Sequence, residues 1–306
     1  MADDEWLEVP VFLHGITTAR VPSPHGATYL GFLSLVNEAL ARLGKRPLSH
    51  APIMVEWGWE ASLADDKYLA EAERRVATAA LPLTETNRRI SLNPFRRLQE
   101  SARHAFLFGF ADMFYYLSAD GERAVRENVF RHLSREIAGV RRRSARGRRR
   151  LSLTFIAHSA GAVIAHDFLY RLFGWGARPF LGLTLNKVRR LSRRGRLRIR
   201  RFYTMGAPIT PFIFRSQALI EKILKGEKLR PEVIGLGPRD GLAPPRWLNF
   251  WDPSDVVSYP LAFLYDKVGG AAVVEDRRVD LGGGFPAVHA RYWQSERIAE
   301  EVAANF

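Results

Sequence analysis

Ser159 stands in Ala157-His158-Ser159-Ala160-Gly161, a hydroxyl set among small residues. Residues 151–157 before it (LSLTFIA) are β-branched and aromatic, which reads as a buried strand. Residues 160–173 after it are apolar at helical spacing, with Gly174 as a stop. A serine between strand and helix is the context of a nucleophile elbow, here with Ala in the first glycine position of G-x-S-x-G. Small neighbours matter because the turn is so tight that bulk two positions away would clash. The plainer role for such a serine is to cap the helix that follows.

A serine nucleophile needs a base, and the base needs an orienting carboxylate. Behind an elbow the chain order is Ser, acid, His. Of the eight histidines only His289 lies beyond residue 166, so the order leaves one candidate base. It sits in Gly282-Gly-Gly-Phe-Pro-Ala-Val-His289, a glycine-rich loop able to carry an imidazole over the strand tips. Two acids follow the strand-like residues 247–251, Asp252 and Asp255. Asp255 is favoured, because the Val-Val after it returns the chain to apolar packing and fixes the carboxylate. Asp252, before Pro253, reads as a turn former. An oxyanion hole is expected from the amides of Ile16 and Ala160, with Gly15 turning the backbone and His14 supporting the loop.

These groups need a scaffold that brings them to one edge. Strand patterns at residues 9–15, 52–57, 151–157, 198–205, 247–251 and within 273–281 alternate with helical ones. The helical patterns cover residues 28–43, 65–80, 94–117, 121–140, 160–173, 217–224 and 291–304. Such alternation predicts an α/β fold with a mostly parallel sheet flanked by helices.

Five segments resemble the α/β-hydrolases of the lipase and esterase type. They are VFLHGI (11–16), FIAHSAG (155–161), YTMGAP (203–208), NFWDPSDVV (249–257) and VHARYW (288–293), in family order over most of the chain. The resemblance implies Ser159 as nucleophile, His289 as base, Asp255 as acid, and Ile16 and Ala160 as oxyanion donors. It also implies a sheet lacking the family's first two strands, because the His-Gly strand begins so near residue 1. The expected core is 1–60 and 148–306. The stretch 61–147 is longer than one crossover helix requires, so a helical cap or lid is expected there. It carries Phe106, Phe108, Phe110, Phe114, Tyr115 and Tyr116, and Trp57 and Trp59 lie close before it. These aromatics either pack a core, or line an acyl pocket or meet a lipid surface.

The implied reaction is cleavage of a carboxylic ester, of a lipid or acyl substrate, by a serine hydrolase with no metal or organic cofactor. Thioester and amide cleavage and acyl transfer use the same machinery. A non-catalytic polyanion- or membrane-binding module on this fold is the competing class.

Composition narrows the rest. The chain has no Cys, which excludes disulfides, thiol nucleophiles and thiolate metal sites. No apolar stretch approaches the roughly 20 residues a spanning helix needs. Asp3, Asp4 and Glu5 are the wrong charge for a signal-peptide start, so a soluble, cytoplasmic protein is expected. The net charge of +14 comes from two runs, Arg141 to Arg150 with seven Arg and Lys187 to Arg201 with eight Arg and one Lys. Outside them acids and bases nearly balance. Both runs precede strands, so topology sends them to the edge opposite Ser159. There they are either solvated loops or a peripheral contact for an anionic membrane or other polyanion. No specific nucleic-acid binding is expected.

Overall fold

The computed structural model describes residues 6–15, 25–48, 51–57, 119–144, 149–174, 183–214, 217–237 and 244–306. In chain order these form β1 (Trp6–Leu13), α1 (Gly26–Arg42), β2 (Ile53–Val55), α2 (Ala119–Arg143), β3 (Arg150–His158), α3 (Ala160–Phe173) and α4 (Leu183–Arg193). There follow β4 (Leu197–Met205), α5 (Ile209–Ile213), α6 (Gln217–Leu224), β5 (Arg246–Trp251), β6 (Val274–Arg278), α7 (Ala287–Ala290) and α8 (Glu296–Ala304).

The six strands make one sheet in the order β2-β1-β3-β4-β5-β6. Every neighbouring pair is parallel. From β1 the chain steps outward to β2, then returns to place β3 on the other side. The connections leaving β1 and β3 therefore diverge, and a crevice opens between their C-terminal ends. Register fixes what meets there, since Leu13 lies beside Ala157 and Ala157 beside Thr204.

Helices cover both faces, which explains why β3 is buried almost throughout. Alternate strand residues point to opposite faces. Phe12, Ile156, Tyr203, Leu248 and Phe250 pack in one core with Phe32 and Val36 of α1 and Ile298 and Val302 of α8. On the other face the Phe155 ring lies 6.3 Å from Phe168 of α3, which lies 5.4 Å from Phe130 of α2.

Besides the short helices α5 and α7, which the sequence reading did not foresee, two elements depart from it. α4 occupies much of the second basic run, where no helix was expected. Its Leu185 and Val188 turn inward and are buried, while Lys187, Arg190 and Arg193 point outward. The expected helix 291–304 is broken at Ser295. A 3-10 turn (Arg291–Gln294) precedes it, and the Ser295 hydroxyl accepts from the Ile298 amide to start α8 afresh.

The chain falls into two compact units. One comprises 1–15, 23–56 and 126–306 and contains the sheet; the other comprises 16–22 and 57–125. Of the range expected as a cap, residues 126–144 group with the sheet unit. Residues 61–118 and 145–148 lie outside the described residues, as do Trp59 and the six cap aromatics. Among the described residues no helix is long and apolar enough to cross a membrane.

Candidate active site

β3 ends at His158, α3 begins at Ala160, and Ser159 makes the turn with φ 53° and ψ −131°. It is the only described residue other than glycine with positive φ. Such a conformation costs a side-chain-bearing residue about 1–3 kcal/mol and persists only where neighbours enforce it. Its amide donates to the Met205 carbonyl at 2.9 Å, tying the turn to the end of β4. On the other side, a Cβ on Gly161 would stand 2.1 Å from the His14 carbonyl oxygen, and one on Gly15 would stand 2.6 Å from the Ser159 Cβ. The loop after β1 and the elbow thus interlock by backbone contact. Ser159 makes no side-chain cap to α3, so its hydroxyl is left for another partner.

That partner is His289. The Ser159 hydroxyl donates to His289 Nε2 at 2.8 Å, and His289 Nδ1 donates to Asp255 Oδ2 at 2.8 Å. The tautomer follows from these partners, since a carboxylate only accepts. Three residues far apart in the chain form one line at the C-terminal edge of the sheet. The Asp255 side chain is fully buried, whereas that of His289 is 19% exposed. Under the pair lies Gly206, with φ +58°. A Cβ there would press on Asp255 Oδ2 at 3.1 Å and the His289 ring at 3.2 Å.

The two candidate acids differ in their contacts. Asp255 Oδ1 accepts from the Val257 amide at 3.2 Å, leaving Oδ2 to the imidazole. Asp252 forms the turn, its Oδ1 accepting from the Ser254 amide at 2.8 Å. Its Oδ2 accepts from the Leu281 amide at 2.7 Å, joining the acid loop to the segment that leads to His289.

Of the expected oxyanion groups, Ala160 is the first residue of α3, where an amide has no carbonyl one turn back to bond. Ile16 lies outside the described residues. His14 is buried, with Nδ1 2.5 Å from the Gly15 carbonyl and its ring stacked 3.8 Å from that of His25. Burial, then the neighbouring His25, pushes its pKa down to about 3. It is a neutral donor bracing the loop.

No family model and no curated protein matches this chain.

Several residues of the site carry no local signal in the sequence. His158 Nε2 donates to the backbone carbonyl of His289 at 2.8 Å, and the two rings lie 4.6 Å apart. Burial first, and His289 second, hold the His158 pKa well below the ordinary histidine value. The residue before the serine thus clasps the residue that faces it. Tyr292 accepts from the Asp252 amide at 3.0 Å. Burial, and then the Asp255 carboxylate, raise the pKa of its hydroxyl and keep it protonated.

A buried polar chain underlies the acid loop. Trp247 Nε1 donates to Thr204 Oγ1 at 2.9 Å, and that hydroxyl donates to Asn249 Oδ1 at 2.8 Å. Asn249 Nδ2 donates to Asp276 at 2.8 Å and to the Tyr259 carbonyl at 3.0 Å. Asp276 also accepts the amides of Leu261 and Ala262. Among the described residues, no three His, Asp or Glu side chains are grouped to hold a metal ion.

Proposed function

We propose that this chain is a serine hydrolase of the α/β-hydrolase type that cleaves a carboxylic ester of an acyl or lipid substrate. One observation carries the reading: the line from Ser159 through His289 to Asp255, with 2.8 Å at each step. The strained elbow and the strand order support it. Order β2-β1-β3-β4-β5-β6, all parallel, fits that family's sheet without its first two strands.

Ser159 Oγ attacks the ester carbonyl carbon while its proton passes to His289 Nε2. Asp255 stabilises the imidazolium through Nδ1. The carbonyl oxygen, now an oxyanion, is held by the Ala160 amide at the positive end of α3. The intermediate collapses, the alkoxide leaves with the proton from His289, and an acyl-Ser159 ester remains. Water, deprotonated by His289, then releases the carboxylic acid and restores the serine.

An apolar acyl portion is supported by loops on the strand-end edge that carries Ser159. Phe214 follows α5, and Val256, Tyr259 and Phe263 lie on the β5–β6 connection, all exposed. The Thr210 hydroxyl donates to the Pro260 carbonyl at 2.8 Å and joins the two segments. Large apolar groups left in water on loops that leave the C-terminal ends of the strands suit a hydrocarbon chain.

A fluorophosphonate probe tests the reading. The wild-type protein is expected to label, His289→Ala to label weakly and Ser159→Ala not at all. Persistent labelling of Ser159→Ala identifies a different nucleophile and defeats the proposal. A p-nitrophenyl ester series of rising chain length then measures the acyl preference.

A further inference from the structure

The two arginine runs are not uniform. Some of their members are structural. Arg141 is buried and donates to the Arg149 carbonyl. Arg198 is buried over the Trp6 ring at 4.3 Å, and its Nε donates to Ser152 at 2.9 Å. Arg200 pairs with Glu8 at 2.6 Å. Arg201 donates to the Asn305 carbonyl and lies 4.3 Å from the Phe306 ring centre. These side chains have partners inside the protein and are spent on the fold.

The others point outward. Arg142 and Arg143 end α2, Arg190 and Arg193 stand on the outer side of α4, and Arg194 and Arg196 lie on the turn into β4. All six are exposed, and no carboxylate pairs with them among the described residues. They come from separate elements yet share one edge. The Leu151 amide donates to the Arg196 carbonyl at 3.0 Å, so the start of β3 touches the turn before β4. Burial first, and the nearby Arg196 charge second, lower the Arg141 pKa. Uncompensated like charges repel, and a polyanion laid across them removes that cost.

We propose that this strand-start edge is a docking surface for an anionic lipid bilayer, gripped by Arg142, Arg143, Arg190, Arg193, Arg194 and Arg196. Guanidinium groups suit phosphate headgroups because their planar fork pairs with two oxygens at once. A bilayer fits better than nucleic acid for a reason of composition. Single-stranded nucleic acid is gripped by exposed aromatic rings that stack with bases. The exposed aromatics among the described residues, Tyr170, Phe214, Tyr259 and Phe263, belong to other elements. What this edge offers is charge alone, spread over two helix ends and a turn. It lies a strand length from Ser159, roughly 25 Å at about 3.3 Å per residue. Docking there leaves the candidate active site open, and the inference stands whether or not Ser159 is a nucleophile.

Co-sedimentation of the full chain with vesicles tests it. Vesicles of phosphatidylcholine alone are compared with equimolar phosphatidylcholine and phosphatidylglycerol, at low and high salt. Binding is expected only to the anionic vesicles and is expected to fall as salt screens the charges. Each cation near an anionic surface contributes about fivefold in affinity, so Arg190→Gln/Arg193→Gln/Arg194→Gln/Arg196→Gln should bind more than about a hundredfold more weakly. Arg142→Gln/Arg143→Gln, on the other run, should lose about 25-fold, and serves if the first variant melts early by circular dichroism. Vesicle binding that survives both sets overturns the proposal. So does failure of the wild-type chain to bind anionic vesicles, or tighter binding to a DNA duplex than to them at equal salt.

Discussion

Ser159 is held in a conformation that few residues other than glycine adopt, and its hydroxyl is turned away from the helix it precedes. A serine that merely capped α3 would bond an amide of the first turn, so the strain supports a hydroxyl kept for another task. The two aspartates give the sharpest residue-level contrast. Asp255→Ala removes the carboxylate that orients His289 and should lower kcat by about 10⁴-fold in an ester assay. Asp252→Asn keeps an oxygen for the Ser254 amide and should leave kcat within about tenfold, with stability measured by urea unfolding reduced by about 1 kcal/mol. Equal losses in the two variants would mean that the acid is misassigned. His158 is a positioning residue, acting through the carbonyl of His289. His158→Leu removes a buried donor worth about 1 kcal/mol, so kcat should fall about fivefold with KM unchanged. His158→Gln, which carries a side-chain donor of similar reach, should recover part of that rate. A loss confined to KM would place His158 in substrate binding instead.

At the scale of elements, the sheet was legible because helices cover both of its faces. Strands buried on two sides read as continuous apolar runs, as residues 151–157 do. Gly174 and the Gly206-Ala-Pro sequence marked where elements stop. α4 was hidden because its outward residues are arginines, and a charge run masks the Leu185 and Val188 beneath it. The break at Ser295 depends on one hydroxyl inside a pattern that otherwise continues. The chain order of a serine, an acid and a histidine pointed to the three residues now seen in line. Their supports were not legible, because the Asn249–Asp276 and His158–His289 bonds join residues far apart and leave no local pattern. The Asp276 carboxylate holds the loop that contains Asp255's C-terminal neighbours by accepting from Leu261, Ala262 and Asn249. Asp276→Ala would leave these buried donors unpaired, at about 1–3 kcal/mol each. Urea unfolding should therefore show a loss of about 3 kcal/mol or more, with fluorophosphonate labelling slowed alongside it. A variant of wild-type stability would show that the loop finds other acceptors.

For the whole molecule, topology separates two kinds of charge. Among the described residues, exposed arginines without a carboxylate partner gather where the strands start, and buried histidines lie towards the strand ends. Buried histidines, in the candidate site and outside it, make the fold sensitive to acid. Burial lowers the pKa of His14 to about 3 and that of His166 to about 4, and lowers that of His158 as well. In the unfolded chain each ring titrates near 6.5. Above pH 6.5 the rings are neutral in both states and contribute nothing to the pH dependence. Below it the unfolded chain takes up protons that the folded one refuses, so stability falls as pH falls. The slope is about 1.4 kcal/mol per pH unit for each ring, and it persists for His166 down to about pH 4 and for His14 down to about pH 3. From His14 and His166 alone, urea unfolding between pH 6 and pH 5 should lose about 2.5 kcal/mol, a large share of the stability of an ordinary domain. His166 is the cleanest single test, since its Nε2 bonds the Tyr265 hydroxyl at 2.7 Å, away from the Ser159 line. His166→Gln keeps a polar partner for that hydroxyl and removes the titration. Its stability should therefore decline about 1.4 kcal/mol per pH unit less steeply than that of the wild type. An unchanged slope would show that His166 takes up its proton in the folded protein, and that the pocket around Tyr265 opens to water before the rest unfolds.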